Sequence, residues 1–252
     1  MSLVYLITGL PRLGLDSHPP ITRAQFTRRA LNNMPEGSGC RDLNLLLLLE
    51  DVDATTRRAH QDILGMVPVG EERRKPFSDR PLPAWLSEDR PHHVLMRLWR
   101  RHIYQRATSS FLKKWARESL NLAELIAALL CRQEEMNKDA FLTQMEGGFD
   151  STWRMAVSHY EDPDLGLSKR LNFYQHVVEA LRLEDFVEME RRLEALRWRT
   201  INTCLGLNTF SVEAVLAYYL KLRILERRAA RNEELGNAVL EKMLEIDRGA
   251  FV

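Results

Sequence analysis

Apolar residues recur along this chain at the three- and four-residue spacing of an α-helix, and the clearest case lies near its end. Val212, Val215, Leu216, Tyr219 and Leu220 share one helical face. Thr209 or Ser211 supplies a capping oxygen, and Glu213 sits in the first turn, where the helix dipole favours an acid. Arg223 and Glu226 then fall on that same face before Ala230. Two readings are open there. Either the helix outruns its core, or the charges make a polar contact with a partner, which makes Glu226 a candidate partner-binding residue.

From the other end, Val4 to Leu10 is apolar but too short for periodicity to separate a strand from a helix. A short extended N-terminal segment is therefore one expectation. Gly9, Pro11, Gly14 and Pro19-Pro20 then interrupt any regular element. Thr22 with Gln25 forms a capping-box pattern for a helix ending near Asn32-Asn33, and 35–39 reads as loop. Leu43 to Leu49 is apolar all round, which predicts a helix buried on most sides. Asp53 reads as the cap of a separate short helix to about Leu64. Residues 67–91 carry five of the ten prolines and mixed charge, as expected of a long loop or hinge.

His92 to Glu118 reads as a long basic helix, with no acid between Asp89 and Glu118. At about 100° per residue, Arg97, Arg100 and Arg101 share one side, while Arg106, Lys113, Lys114 and Arg117 lie on the other. The apolar face swings in the opposite sense, from Leu95, Leu98, Trp99 and Ile103 to Tyr104, Phe111 and Trp115. Either the helix breaks near Thr108 to Ser110, or its halves pack into different lobes. Neither arrangement gives the single basic stripe that phosphate tracking needs, so nucleic acid is not the expected partner. Arg97, Arg100 and Arg101 are the candidate partner-binding arginines.

Asn121 reads as the cap of a further helix, with Glu124 three residues on and Leu122, Leu125, Ile126, Leu129 and Leu130 as its stripe. Helical segments come next at 138–145, 153–160, 168–181 and 183–203. In the last of these, Leu183, Phe186, Val187, Leu193, Leu196 and Ile201 form the expected buried face. The tail to Glu245 is charged and amphipathic. The whole predicts an all-α multi-helix bundle. It divides into an N-terminal lobe, 1–105, that includes the Pro-rich loop, and a C-terminal lobe, 106–252, or forms one continuous domain.

Composition sharpens this picture mainly by exclusion. The 252 residues are 45% hydrophobic and 28% charged, with a net charge of +1, so no overall field draws nucleic acid or an anionic membrane. Cys40, Cys131 and Cys204 are too far apart for a zinc site or a disulfide framework, which fits a reducing compartment. The apolar run at Leu43 is far shorter than the roughly 20 residues a spanning helix needs. The first ten residues lack the basic leader and cleavage pattern of a signal peptide.

Catalytic patterns are missing too. There is no P-loop, no Gly-x-Gly-x-x-Gly and no nucleophile elbow. His92 and His93 are adjacent and point about 100° apart on a helix, so they do not readily share a metal. Glu134-Glu135 and Glu233-Glu234 are neighbours in surface runs rather than facing acid–base pairs. The five tryptophans sit at scattered helical positions that core packing explains. The expectation is a chain with no cofactor, no metal and no catalysis of its own.

Two stretches carry a resemblance. Asn208, Phe210, Val215, Leu216, Ala217 and Tyr218 match the closing helix of the C subunit of V-type ATPases, known as the d subunit in eukaryotes, which typically opens Asn-Pro-Phe. Thr209 stands where proline is usual. Val4 to Leu13, followed by His18-Pro19-Pro20-Ile21, resembles the opening of a bacterial family encoded within V-type ATPase operons that stands in for the C subunit. Leu-Asn pairs at Asn44, Asn121 and Asn208 precede apolar helices, in keeping with the repeated helical units of the C/d family.

The resemblance implies a C/d-like funnel of repeated helical units. Its partners would be the V-type ATPase central shaft subunits and the membrane rotor ring, between which it passes torque. It would be monomeric when isolated, sit peripherally on the cytoplasmic face and touch the membrane only through the complex. Two other readings stand beside it: a helical assembly factor or adaptor for the ATPase, and a helical nucleic-acid-binding regulator resting on residues 90–117.

Overall fold

A computed structural model describes residues 3–34, 37–63, 92–139, 141 and 150–229. The predicted hinge at 67–91, the end of the predicted helix at 138–145 and the charged tail lie outside these residues. Among the described residues the protein is all-α, with nine helices and no strand. They are α1 (Leu3–Thr8), α2 (Arg23–Asn33), α3 (Ser38–Ile63), α4 (His92–Arg106), α5 (Ser110–Gln133), α6 (Asp150–Ser158), α7 (Tyr174–Leu181), α8 (Phe186–Leu205) and α9 (Val212–Ala229).

The N-terminal segment is helical, not extended. A strand would need a partner strand for its backbone groups, and none is present among the described residues. As a helix, α1 closes backbone bonds within itself and at its end, where the Gly9 N–H donates to the Tyr5 carbonyl at 3.1 Å; its Thr8 hydroxyl donates to the Val4 carbonyl at 2.9 Å, and Leu6 is buried. Helix α2 begins as its sequence predicts. The Gln25 N–H donates to Thr22 Oγ1 and the Thr22 N–H to Gln25 Oε1, closing a capping box.

Asp53 does not open a new helix. Helix α3 runs unbroken from Ser38 to Ile63. Its run Leu45–Leu49 is buried on every side, as is Leu43. Gly39 in its first turn is required by close approach, since a Cβ there would lie 2.8 Å from Cγ1 of Val212 at the start of α9.

The basic stretch does break, at 107–109, into an α4–α5 hairpin. Both halves bury large apolar residues in the same core, Trp99 and Ile103 from α4 and Phe111 and Trp115 from α5. The corner is held by Asp42 of α3, which is fully buried. Its carboxylate accepts from the Thr108 N–H at 2.8 Å, the Thr108 hydroxyl at 2.9 Å and the Ser109 N–H at 2.7 Å. Ser109 in turn caps α5 by accepting from the Leu112 N–H.

Asn121 is likewise interior to a helix, because α5 continues through it to Gln133. It is buried, and its Oδ1 accepts from the Thr152 hydroxyl of α6 at 3.1 Å. Helix α5 thereby joins two apolar cores. Its first half packs with α1 to α4 and α9, while Leu122, Leu125 and Ala128 belong to a second core with Phe141, α6, α7 and part of α8. The division between the two cores falls inside α5, and α9 packs with α1 to α3.

The segment before α7 is turns rather than helix. The Gly166 N–H and the Ser168 hydroxyl both donate to Asp164, while Leu165 and Leu167 drop into the second core. In α8, Leu193, Leu196 and Ile201 are buried as expected, but Phe186 and Val187 are 78% and 68% exposed. Phe186 lies within about 20° of Leu193 around the helix but two turns nearer its start. Burial therefore ends along the helix axis, not around it.

Candidate functional site

Helix α9 carries a charged pair, Arg223 and Glu226, on its apolar face, so the candidate site is built outward from it. Ser211 supplies the capping oxygen, 3.4 Å from the Ala214 N–H. Val215, Leu216, Ala217, Tyr219, Leu220, Leu222, Arg223, Ile224 and Leu225 are all buried. A helix buried on nearly every side is the axis of its core, not a surface element. Phe26 of α2 stacks on Tyr218 with ring centroids 5.1 Å apart and tilts against Tyr219 at 6.0 Å.

The two charges on the stripe do not mark a helix that has outrun its core. Arg223 pairs through Nε with Glu50 of α3, and Glu50 pairs through its other oxygen with Arg23 of α2. Arg23 also reaches Glu226, by its Nε and by its backbone N–H, which donates to Glu226 Oε1 at 2.5 Å. The result is a chain of alternating charges, Arg223–Glu50–Arg23–Glu226, that ties α9 to α2 and α3. Burial works against the Arg23 charge, but the Glu50 and Glu226 carboxylates outweigh it and hold the guanidinium above its ordinary pKa. Tyr219, beside this network, stays a neutral phenol because burial, and then the Glu50 charge, raise its pKa well above normal.

The sequence-predicted site residues therefore separate. Glu226 is held by Arg23 within the protein. Arg97 is buried, 4% exposed. Burial lowers its pKa, while the Glu124 carboxylate acts in the opposite sense. Arg100 and Arg101 are half-buried. Arg100 lines a cavity between α5, α8 and α9 together with Arg197, Arg223 and Arg227, so it is brought close to α9. Arg106, Lys113, Lys114 and Arg117 are exposed.

Sequence reasoning missed Glu50 and Arg23, the partners of the stripe charges. A signal was present. Glu50 ends an otherwise apolar run, and an acid at that position on a buried helix needs a cation. What the loop into α9 does expose is apolar. Leu207 is 96% exposed and Phe210 62% exposed, just after Gly206, whose φ of +60° ends α8.

Among the described residues, no group of three or more His, Cys, Asp or Glu is placed to hold a metal ion, and no helix is long and apolar enough to cross a membrane. Comparison with curated proteins finds no match, and neither does comparison with solved structures. One protein-family model does match, over residues 88–248, well over half of the chain. The match runs from α4 to beyond α9 and so takes in the basic hairpin, the second core and the buried closing helix. The chain belongs to the family described as "Protein of unknown function (DUF2764)".

Proposed function

We propose that this protein is a non-catalytic coupling subunit of a V-type ATPase, of the C/d type, that joins the central shaft to the membrane rotor ring on its cytoplasmic face. The observation that carries this reading is the closing stretch. Asn208, Phe210 and Val215 to Tyr218 match the closing helix of the C/d family, and that stretch forms the axis of the larger core. A torque-bearing part needs stiff helices braced against one another. Charged ties from α9 to both α2 and α3, together with the Asp42 clamp on the α4–α5 corner, suit that need. The exposed Leu207 and Phe210 at the entry to α9 offer an apolar contact for a neighbouring rotor protein.

The test is capture of the tagged protein from its native cells in mild detergent. Shaft and rotor-ring subunits recovered in fixed proportion support the coupling role. Recovery of the protein alone, or only with free catalytic-head subunits, overturns it and leaves the assembly factor as the better reading. Salt-sensitive retention on DNA would instead favour the nucleic-acid regulator.

A further inference from the structure

The exposed loop into α9 lies at one end of the larger core, beside the α4–α5 corner. Two contacts place it there. The Thr108 hydroxyl at the corner donates to the Ser38 carbonyl at the start of α3, at 3.3 Å. Next to Ser38, Gly39 packs so closely on Val212, the first residue of α9, that a Cβ would lie 2.8 Å from its Cγ1. Leu207 and Phe210, in the loop before Val212, are exposed. The start of α5 lies at this end too. Burial raises the pKa of the Cys204 thiol, near the end of α8, to about 11, and the Lys114 charge is close enough to act against that rise.

This end is cationic as well as apolar. Arg106 at the close of α4 and Lys113, Lys114 and Arg117 on α5 are exposed, and among the described residues none of them is in a salt bridge. Lys113, Arg117 and Lys114 fall within about 100° around α5, so they share one face. The fold does not call for the two lysines. They sit in and just after the first turn of α5, where the helix dipole disfavours a cation, and that turn holds no acid. The buried Asp42 carboxylate behind the corner is taken up by Thr108 and Ser109. The acids next along α5 and α9, Glu118 and Glu213, are half-buried.

We propose, resting on the coupling role, that this end of the protein meets its neighbour in the rotor, and that the neighbour presents an apolar patch rimmed by acidic side chains. Leu207 and Phe210 supply the apolar centre, and the exposed cations supply a rim that an acidic protein surface complements. A protein fits this end better than an anionic membrane. The net charge of +1 gives no overall field to hold the chain at a lipid surface, whereas carboxylates in contact need only these local charges.

The test compares capture from native cells by the tagged protein and by two variants with the same change in net charge. Lys113→Glu with Lys114→Glu reverses the cationic face. Lys169→Glu with Arg170→Glu reverses two exposed cations in the turns before α7. The first variant should recover about tenfold less of the shaft or rotor-ring subunits, because like charges then meet across the contact. The second should recover as much as the unaltered protein. Circular dichroism checks folding, and Lys114→Glu with Arg117→Glu replaces the first variant if that one does not fold. Undiminished recovery by the first variant, or an equal loss in both, overturns this surface and leaves the coupling role standing. Recovery of no rotor subunit by the unaltered protein overturns the coupling role and this surface together. The lipid case is read by sedimentation with vesicles of phosphatidylglycerol and phosphatidylcholine. Binding to them that the first variant abolishes overturns the protein partner in favour of a membrane.

Discussion

Arg223 of α9 and Glu50 of α3 form an ion pair inside the protein, only 8% and 5% exposed. They lie 173 positions apart in the chain, as their numbers give (223 − 50), so the pair closes the last helix onto the third. Removing one partner strands a buried charge. Glu50→Ala should destabilise the protein by about 3–5 kcal/mol in urea unfolding. Arg223→Met combined with Glu50→Gln should cost clearly less than the two single changes added together, because the second change removes the charge that the first one strands.

Asp42 should matter nearly as much. Its buried carboxylate serves two backbone N–H groups and a hydroxyl at the α4–α5 corner. Asp42→Ala leaves those donors without their acceptor and should cost about 2–3 kcal/mol. Asp42→Asn should recover only part of this, since one carboxylate oxygen becomes an NH₂ that faces a donor. Thermal unfolding followed by circular dichroism measures both.

His102 gives a pH dependence. It stacks on Trp99 with centroids 5.0 Å apart, and burial, then the Arg106 charge, lower its pKa below the ordinary 6.5. Below pH 6.5 the unfolded chain therefore binds this proton more readily than the folded one. Stability from this group is complete above pH 6.5 and falls as pH drops through the window beneath it. His102→Gln should flatten that part of the stability–pH curve, as read from urea midpoints between about pH 5 and pH 7.

Leu207 and Phe210 separate folding from function. Both are largely exposed, so Leu207→Ser and Phe210→Ser should change stability by no more than about 0.5 kcal/mol. If the loop into α9 meets a rotor protein, the same changes should lower the recovery of that protein in the capture experiment. Unchanged recovery would remove this loop from the interface.

Local signals in the chain were largely sufficient for local structure. The Thr22–Gln25 capping box, the all-apolar run at Leu43 to Leu49 and the stripe of α9 each depend on neighbours within two turns. The break at 107–109 was one of two readings that the swing of the apolar face left open. Local signals misled where a cap-forming residue had been recruited elsewhere. Asn121 resembles a cap, but its side chain meets Thr152 of α6 in the middle of a continuous α5. Phe186 and Val187 follow the buried face of α8 by angle, yet periodicity carries no record of where along the axis a neighbouring helix stops.

By itself the sequence determined that this chain is helical, where some helices start, as at Thr22 and Ser211, and which faces of several turn inward. Those outcomes are set by backbone hydrogen bonds and side-chain spacing over a few residues. Only the tertiary structure decided that Arg97 faces inward, that Glu226 belongs to Arg23, and that four arginines surround one cavity at the junction of two cores. The physical reason is the cost of burying charge. An arginine on an apolar stripe is tolerable only opposite an acid, and that acid can lie anywhere in the chain, so the pairing exists only once the helices are packed.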